Sequence, residues 1–547
     1  MNDARPGPGD DEASDDGAVL GAVFEDSTLF EGSAVSEGGA VSEGGGDFGD
    51  DAALDDRARP GGEPEAAADP VYDLVGVGTG PFNLSLAALG DRVPGLRTLF
   101  LDEKPGFSWH PGMLIPGTTL QVPFLADLVT LVDPTNPWSY LSYLHEHDRL
   151  FPFYFTERFH VPRREYDHYC RWVAASLPSC RGSSHVDALA WDPDRSVFRV
   201  YFTDTRSGDG HVVYARNVVL GVGTVPAVPP AVRNLLGDRV FHTADYLARR
   251  PALDGLGDVT VIGSGQSGAE ALLDLLRTPP AEGTHLRWLT RSPAFAPMEY
   301  SKLGLEHFTP DYTRYFRALP EPTRDRLVPS QWQLYKAISQ ETIGEIYDTL
   351  YDRAFDSRAA GPASGAPGVE GAPVTLMPNV DVVAANRFPG GVELQCRHLE
   401  LDRPFRLATD AVVLGTGYTA ARPALLEPLT DLIDWDEQGR YRIDADYRVA
   451  LRPDVTGGLF VQNAELHTHG VGTPDLGLGA HRAAVILNAI AGATVYRLPR
   501  RTAFTTFGVP EPAVHATDLD PEYTAPPVRA GSDPAALEVV RAAAHAR

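Results

Sequence analysis

Short apolar runs separated by glycine turns set the outline of this chain. Residues 72–77 are rich in Val and Leu, as a buried strand would be. A glycine turn follows, and residues 82–89 then carry apolar side chains at helical spacing. Residues 97–102 return to a strand pattern. A strand, turn, helix and strand within about 30 residues predict one unit of a parallel, doubly wound sheet. The pattern recurs as a strand at 259–262, a glycine turn, a helix at 269–276 and a strand at 286–290. Two such units predict an α/β fold with two Rossmann-like dinucleotide-binding domains.

Residues 359–373 are rich in Ala, Gly and Pro and predict a surface loop inserted in the second unit. A further strand at 411–414 enters Gly415-Thr416-Gly417-Tyr418, and the last strong helix covers 479–491. Beyond about Pro510 the chain is Pro- and Ala-rich, with a short helix predicted at 534–544.

Charge changes the picture at the N-terminus. The 547 residues hold 47 Lys plus Arg and 74 Asp plus Glu, a formal charge of −27. Residues 1–70 alone hold 19 of the acids and 3 Arg, and the hexamer Ala-Val-Ser-Glu-Gly-Gly occurs there twice in tandem. Many charges with few large apolar groups cannot offset ordering entropy, so this segment is predicted to be a disordered acidic tail. So acidic a chain is poorly suited to neutralising nucleic-acid phosphates. Hydrophobic residues make up 43% of the whole chain, enough for a sizeable core.

Cys170, Cys180 and Cys396 form no CxxC pair, which argues against a zinc ribbon or a redox-active dithiol and suits a reducing compartment. No apolar run reaches the roughly 18 residues of a spanning helix, and no basic-then-apolar leader pattern opens the chain. The expectation is a soluble cytoplasmic protein without membrane partners.

The first glycine turn reads Gly76-Val77-Gly78-Thr79-Gly80-Pro81-Phe82-Asn83. Glycines let backbone N–H groups approach a pyrophosphate, and the helix N-terminus adds its positive dipole end. Asp102 ends the second strand, where an acid can bind the ribose of an adenine dinucleotide. The second turn reads Gly263-Ser264-Gly265-Gln266-Ser267-Gly268, and its second strand ends at Arg291. A cation there suits the 2′-phosphate of NADP. Two dinucleotide sites without a Cys pair describe a flavin and nicotinamide enzyme that is not a disulfide reductase. The expected division is a tail at 1–70, an FAD-binding part at 71–240 and an NADPH-binding part at 241–410. An FAD-binding return with substrate-pocket elements follows at 411–510, then an extension at 511–547.

Between the units lie Phe107-Ser108-Trp109-His110-Pro111-Gly112-Met113 and Leu120-Gln121-Val122-Pro123-Phe124-Leu125-Ala126-Asp127-Leu128-Val129. Asp133-Pro134-Thr135-Asn136-Pro137, Arg163-Arg164-Glu165-Tyr166 and Leu466-His467-Thr468-His469-Gly470 follow. With these motifs the chain, from about residue 71 to 495, resembles the N-hydroxylating flavin monooxygenases of siderophore biosynthesis. The resemblance implies FAD, NADPH, O₂ and a small-molecule amine, and a homo-oligomer, either tetramer or dimer. It implies that Trp109, His110 and Met113 lie beside the flavin and that Gln121 touches flavin and nicotinamide. Asp475, Leu476 and Gly477 are implied at the flavin pyrimidine edge. It implies no metal, and no side-chain nucleophile, because a flavin C4a-hydroperoxide carries the chemistry.

Amino-acid hydroxylases of this kind carry Lys where this chain has Ala126, and an Asn where it has Leu305. A substrate carboxylate would be left unpaired at such a site, which is costly. The reading therefore favours a diamine, cadaverine or putrescine, over lysine. Glu299, Glu306 and Asp475 are all candidates for its second ammonium. L-Lysine N6-hydroxylation is the alternative, followed by a flavin monooxygenase acting on carbonyl or sulfur compounds and by a non-enzymatic nucleotide-binding protein. A protein beginning near Ala68 is expected to keep flavin and hydroxylase activity, measured side by side with the full chain. Loss of flavin would contradict a dispensable tail.

Overall fold

The computed structural model describes residues 70–359 and 374–508. The acidic tail, the insert around 359–373 and the predicted helix at 534–544 fall outside the described residues, apart from the last turn before the insert.

The first sheet grows from β1 (Val71–Val77), which enters α1 (Pro81–Gly90) and returns as β2 (Thr98–Leu101). β1 and β2 are parallel, with Gly76 opposite Phe100. β3 (Cys180–Arg181), β4 (Ser184–Asp192), β5 (Val197–Asp204) and β6 (Gly210–Leu220) complete the order β3-β2-β1-β6-β5-β4. The 11-residue β6 pairs antiparallel with β5 through its first half. Its second half is parallel to the late strand Gly458–Val461. That pairing brings the C-terminal part of the chain back to the first sheet.

α1, the helix Arg163–Ser176 and the helix Gly479–Ala491 contribute side chains to one core on this sheet. Tyr166, Tyr169, Cys170 and Val173 recur at i, i+3, i+4 and i+7, so one stripe of Arg163–Ser176 is buried. The helix Gly479–Ala491 stops where Gly492 takes a left-handed φ of 62°, a conformation that costs glycine little.

The second sheet is wholly parallel. Its order is Val374–Met377, His285–Leu289, Asp258–Ile262, Ala411–Leu414 and Val240–His242. The strand Ala411–Leu414, expected in the returning flavin segment, instead pairs with Asp258–Ile262 along its full length. Four consecutive buried apolar residues need cover on both faces, which a central position in a parallel sheet provides. An antiparallel three-stranded sheet, Val380–Phe388, Gly391–His398 and Arg403–Thr409, precedes it.

Candidate functional site

The two glycine turns use one construction. Gly78 has φ +85°, and a Cβ there would stand 2.6 Å from the Gly221 carbonyl oxygen just after β6. Gly263 has φ +114°, and a Cβ there would stand 2.2 Å from the Gly415 carbonyl oxygen just after Ala411–Leu414. Any side chain would force the loop off the neighbouring strand end. Gly268 packs in turn on the Gly263 carbonyl, drawing the helix Gln266–Arg277 against its strand. Gly80 and Gly265 are the extended N-cap residues of the two helices, and neither first turn carries an acid. Both helix ends thus keep their positive character for an anion.

The equivalence assigns different work to the flanking residues. Gly76 lies within β1, where a Cβ would meet the Phe100 ring at 2.2 Å. Asn83 stands where the second turn has Gly268 and is fully buried. Its amide donates to the Val77 and Gly78 carbonyls and accepts from Gln462. Asn83 therefore shapes the loop from behind. Asp102 reaches the loop directly: one carboxylate oxygen accepts from the Thr79 N–H at 2.7 Å and the Thr79 hydroxyl at 3.0 Å. The other accepts from Lys104 N–H. In the second turn, Gln266 is engaged by Ser339, Thr342 and Glu270. Ser267 begins the helix beside it. Arg291 is 79% exposed at its strand end, with Asp381 4.0 Å away. Ser264, Thr290 and Ser292 form a hydroxyl cluster beside it.

His110 takes a left-handed φ of 47°, uncommon outside glycine, and its ring meets Trp109 and Tyr418 edge-on. Burial, reinforced by Arg163 and Lys104, lowers its pKa to about 4, so it is neutral near pH 7. The Trp109 N–H donates to Asp167. Met113 departs from its neighbours: it is buried in the core of the second sheet, with Ile115, Phe241 and Val261. Its apolar side chain packs into that core, which the resemblance alone did not indicate.

Gln121 has a buried side-chain N–H₂ with no protein partner, while its backbone carbonyl accepts from the Tyr300 hydroxyl at 3.2 Å. Such a donor wants an acceptor from a bound group. Tyr300 escaped the sequence reading because nothing local distinguishes it. Burial, then the charges of Glu341 and Asp475, raise its pKa to about 12.

Asp475, Gly477 and Ala126 meet. A side chain on Gly477 would stand 2.7 Å from Asp475 Oδ1 and 3.9 Å from Ala126 Cβ. Asp475 caps the short turn Leu476–Leu478 and accepts from the Gly477 N–H. Asp475 is half-buried, and burial raises its pKa to about 6. Leu476 packs on the first core beside it. The other two candidate acids face elsewhere. The Glu306 carboxylate accepts from the Phe504 and Thr505 N–H groups, and exposed Glu299 accepts from the Ser301 N–H. Leu305 is half exposed on the turn Gly304–Phe308.

His467 donates to the Tyr441 carbonyl and His469 bonds Thr468. Among the described residues no group of three or more His, Cys, Asp or Glu is arranged to hold a metal, and no helix is long and apolar enough to cross a membrane.

Comparison with known proteins gives four concordant likenesses. Residues 70–420 match the family described as L-lysine 6-monooxygenase/L-ornithine 5-monooxygenase. The putrescine N-hydroxylase of Shewanella oneidensis is 42% identical over 80% of this chain and 84% of its own length. The rhizobactin siderophore biosynthesis protein RhbE of Rhizobium meliloti is 42% identical over 83% of this chain and 99% of its own. The crystal structure of DfoA bound to FAD, a cadaverine monooxygenase from Erwinia amylovora, superposes with a TM-score of 0.76. It is 39% identical, covering 81% of this chain and all of that one.

Proposed function

The chain belongs to the L-lysine 6-monooxygenase/L-ornithine 5-monooxygenase family, and from that premise we propose an NADPH- and O₂-dependent FAD monooxygenase. It hydroxylates one terminal primary amine of a diamine, cadaverine or putrescine, for siderophore biosynthesis. The observation that carries the substrate is that Ala126 and the Asp475 carboxylate both lie against Gly477, so a carboxylate stands near the place of the missing cation. A diamine offers it an ammonium. Lysine would bring an α-carboxylate beside its α-ammonium, and that carboxylate and Asp475 repel.

The chain fits its two cofactors. The first loop, with Gly78, Gly80 and Asp102, suits the FAD pyrophosphate and ribose. The second, with Gly263, Gly265 and Arg291, suits NADPH. Gln121 offers an unpartnered buried donor for a bound group. Bound FAD would supply oxygen transfer, and NADPH its reducing equivalents. The protein's task is binding and orientation. Asp475 holds the distal ammonium, which stays charged. The reacting amine has a free-solution pKa of about 10.4, and an apolar surround favours its neutral, nucleophilic form. The family resemblance supports a homo-oligomer, tested by sedimentation.

Hydroxylamine product from cadaverine, putrescine, lysine and ornithine, measured beside NADPH oxidation, tests the reading. Lysine turnover above both diamines would sink it, as would NADPH oxidation without hydroxylamine.

Arg291→Ala is expected to raise the KM for NADPH. Because the guanidinium is exposed, solvent screening holds the effect near about tenfold, or about 1.4 kcal/mol. The KM for NADH should hardly move. Equal losses with both nucleotides would refute the 2′-phosphate contact.

A further inference from the structure

The Arg163-Arg164-Glu165-Tyr166 motif is not explained by cofactor or substrate contact. Arg163 opens the helix Arg163–Ser176 of the first unit and is nearly buried. Both of its terminal nitrogens reach Glu270 of the helix Gln266–Arg277 at 2.7 Å, forming a fork-to-fork pair. Both also donate to backbone carbonyls of the connecting segment, Met113 at 2.9 Å and Thr119 at 3.5 Å. Glu270 accepts in addition from Gln266, one turn earlier and adjoining the second glycine turn. Gln266 then accepts from the Ser339 N–H and donates to Thr342. A continuous polar chain therefore runs from the segment carrying His110 and Gln121, through Arg163 and Glu270, to the loop assigned to NADPH.

We infer that Arg163 and Glu270 are a positioning pair that sets the second glycine loop at its working distance from the flavin side. The inference rests on the cofactor reading above. Two properties distinguish the pair from an ordinary surface bridge. It is buried, so it is little screened by salt. It is also bidentate and joined to further groups at both ends, so it defines an orientation as well as a contact. Neither residue is among those assigned to the substrate. Hydride transfer from a nicotinamide carbon to a flavin nitrogen needs donor and acceptor atoms in near-contact, so a small rotation of the loop acts on rate more than on affinity.

The test compares Glu270→Gln with Leu275→Ala, a core truncation on the same helix that leaves the polar chain intact. Glu270→Gln is expected to slow the limiting rate of flavin reduction at saturating NADPH by about 100-fold, with FAD affinity within about threefold of wild type. Leu275→Ala is expected to lower Tm and leave that limiting rate unchanged. In the flavin-free protein, hydrogen exchange across 259–276 should be faster in Glu270→Gln and in Arg163→Met than in wild type. A wild-type limiting rate in Glu270→Gln overturns the inference. An equal slowing in both variants at matched Tm does so too. If the wild-type flavin is not reduced by NADPH at all, the functional reading fails instead, and unchanged exchange in both pair variants then overturns the pair separately.

Discussion

Replacing Asp475 by Asn is expected to lower kcat/KM for cadaverine and putrescine by about 30-fold or more, the low end of the roughly 2–5 kcal/mol lost when a buried charge pair loses one partner. Asn keeps the size of the side chain and an oxygen for the Gly477 N–H, so the turn Leu476–Leu478 is preserved. Only the charge is removed. NADPH oxidation without amine should change little, because the charge is assigned to the distal ammonium. The pH profile offers a second readout. Burial raises the Asp475 pKa to about 6, so the carboxylate is ionised above that value and neutral below it. Wild-type kcat/KM for either diamine should therefore fall as pH drops through about 6, and the Asn variant should lack that limb. A variant that keeps wild-type kcat/KM and the same acid limb would remove Asp475 from the substrate site.

Ala126→Lys should approach the same loss by a different route. Ala126 is 5% exposed, and the Gly477 contact brings it within one lysine side chain of the Asp475 carboxylate. The new ammonium would occupy Asp475 and repel the substrate's own. Diamine kcat/KM is expected to fall at least about tenfold, or about 1.4 kcal/mol, and to move toward the value of the Asp475→Asn variant. Lysine turnover should hold or rise relative to the diamines, with Leu305 limiting the gain. Combining Asp475→Asn with Ala126→Lys should cost less than the product of the two single effects, because both act on one ion pair. Independent, multiplicative losses measured in that cycle would show that the two positions do not share a partner.

Local chemistry made both glycine turns legible. A turn that brings backbone against backbone has no room for Cβ, so Gly78 and Gly263 announce themselves in any context. The register of the first turn was less legible. Gly76 resembles a loop glycine in sequence but sits in the strand under Phe100, and Asn83 does the work of a third glycine by bonding two carbonyls. Both assignments depend on what lies across the sheet, at Phe100 and Gly221.

The sequence by itself therefore determined the parallel α/β units, their glycine loops and the strand-end Asp102 and Arg291. Each of these follows from residues close together along the chain, where periodicity and steric need leave a direct mark; Ala126 in place of a lysine shows only against the family the chain resembles. Only the tertiary structure brought Asp475 near Ala126, since Glu299, Glu306 and Asp475 look alike until Phe504 and Thr505 claim Glu306. It also moved Ala411–Leu414 into the second sheet, sent Met113 to the second core and joined Arg163 to Glu270 across 107 residues. Those outcomes depend on contacts between distant segments, and a carboxylate or an apolar run carries no record of its partner until the chain has folded around it.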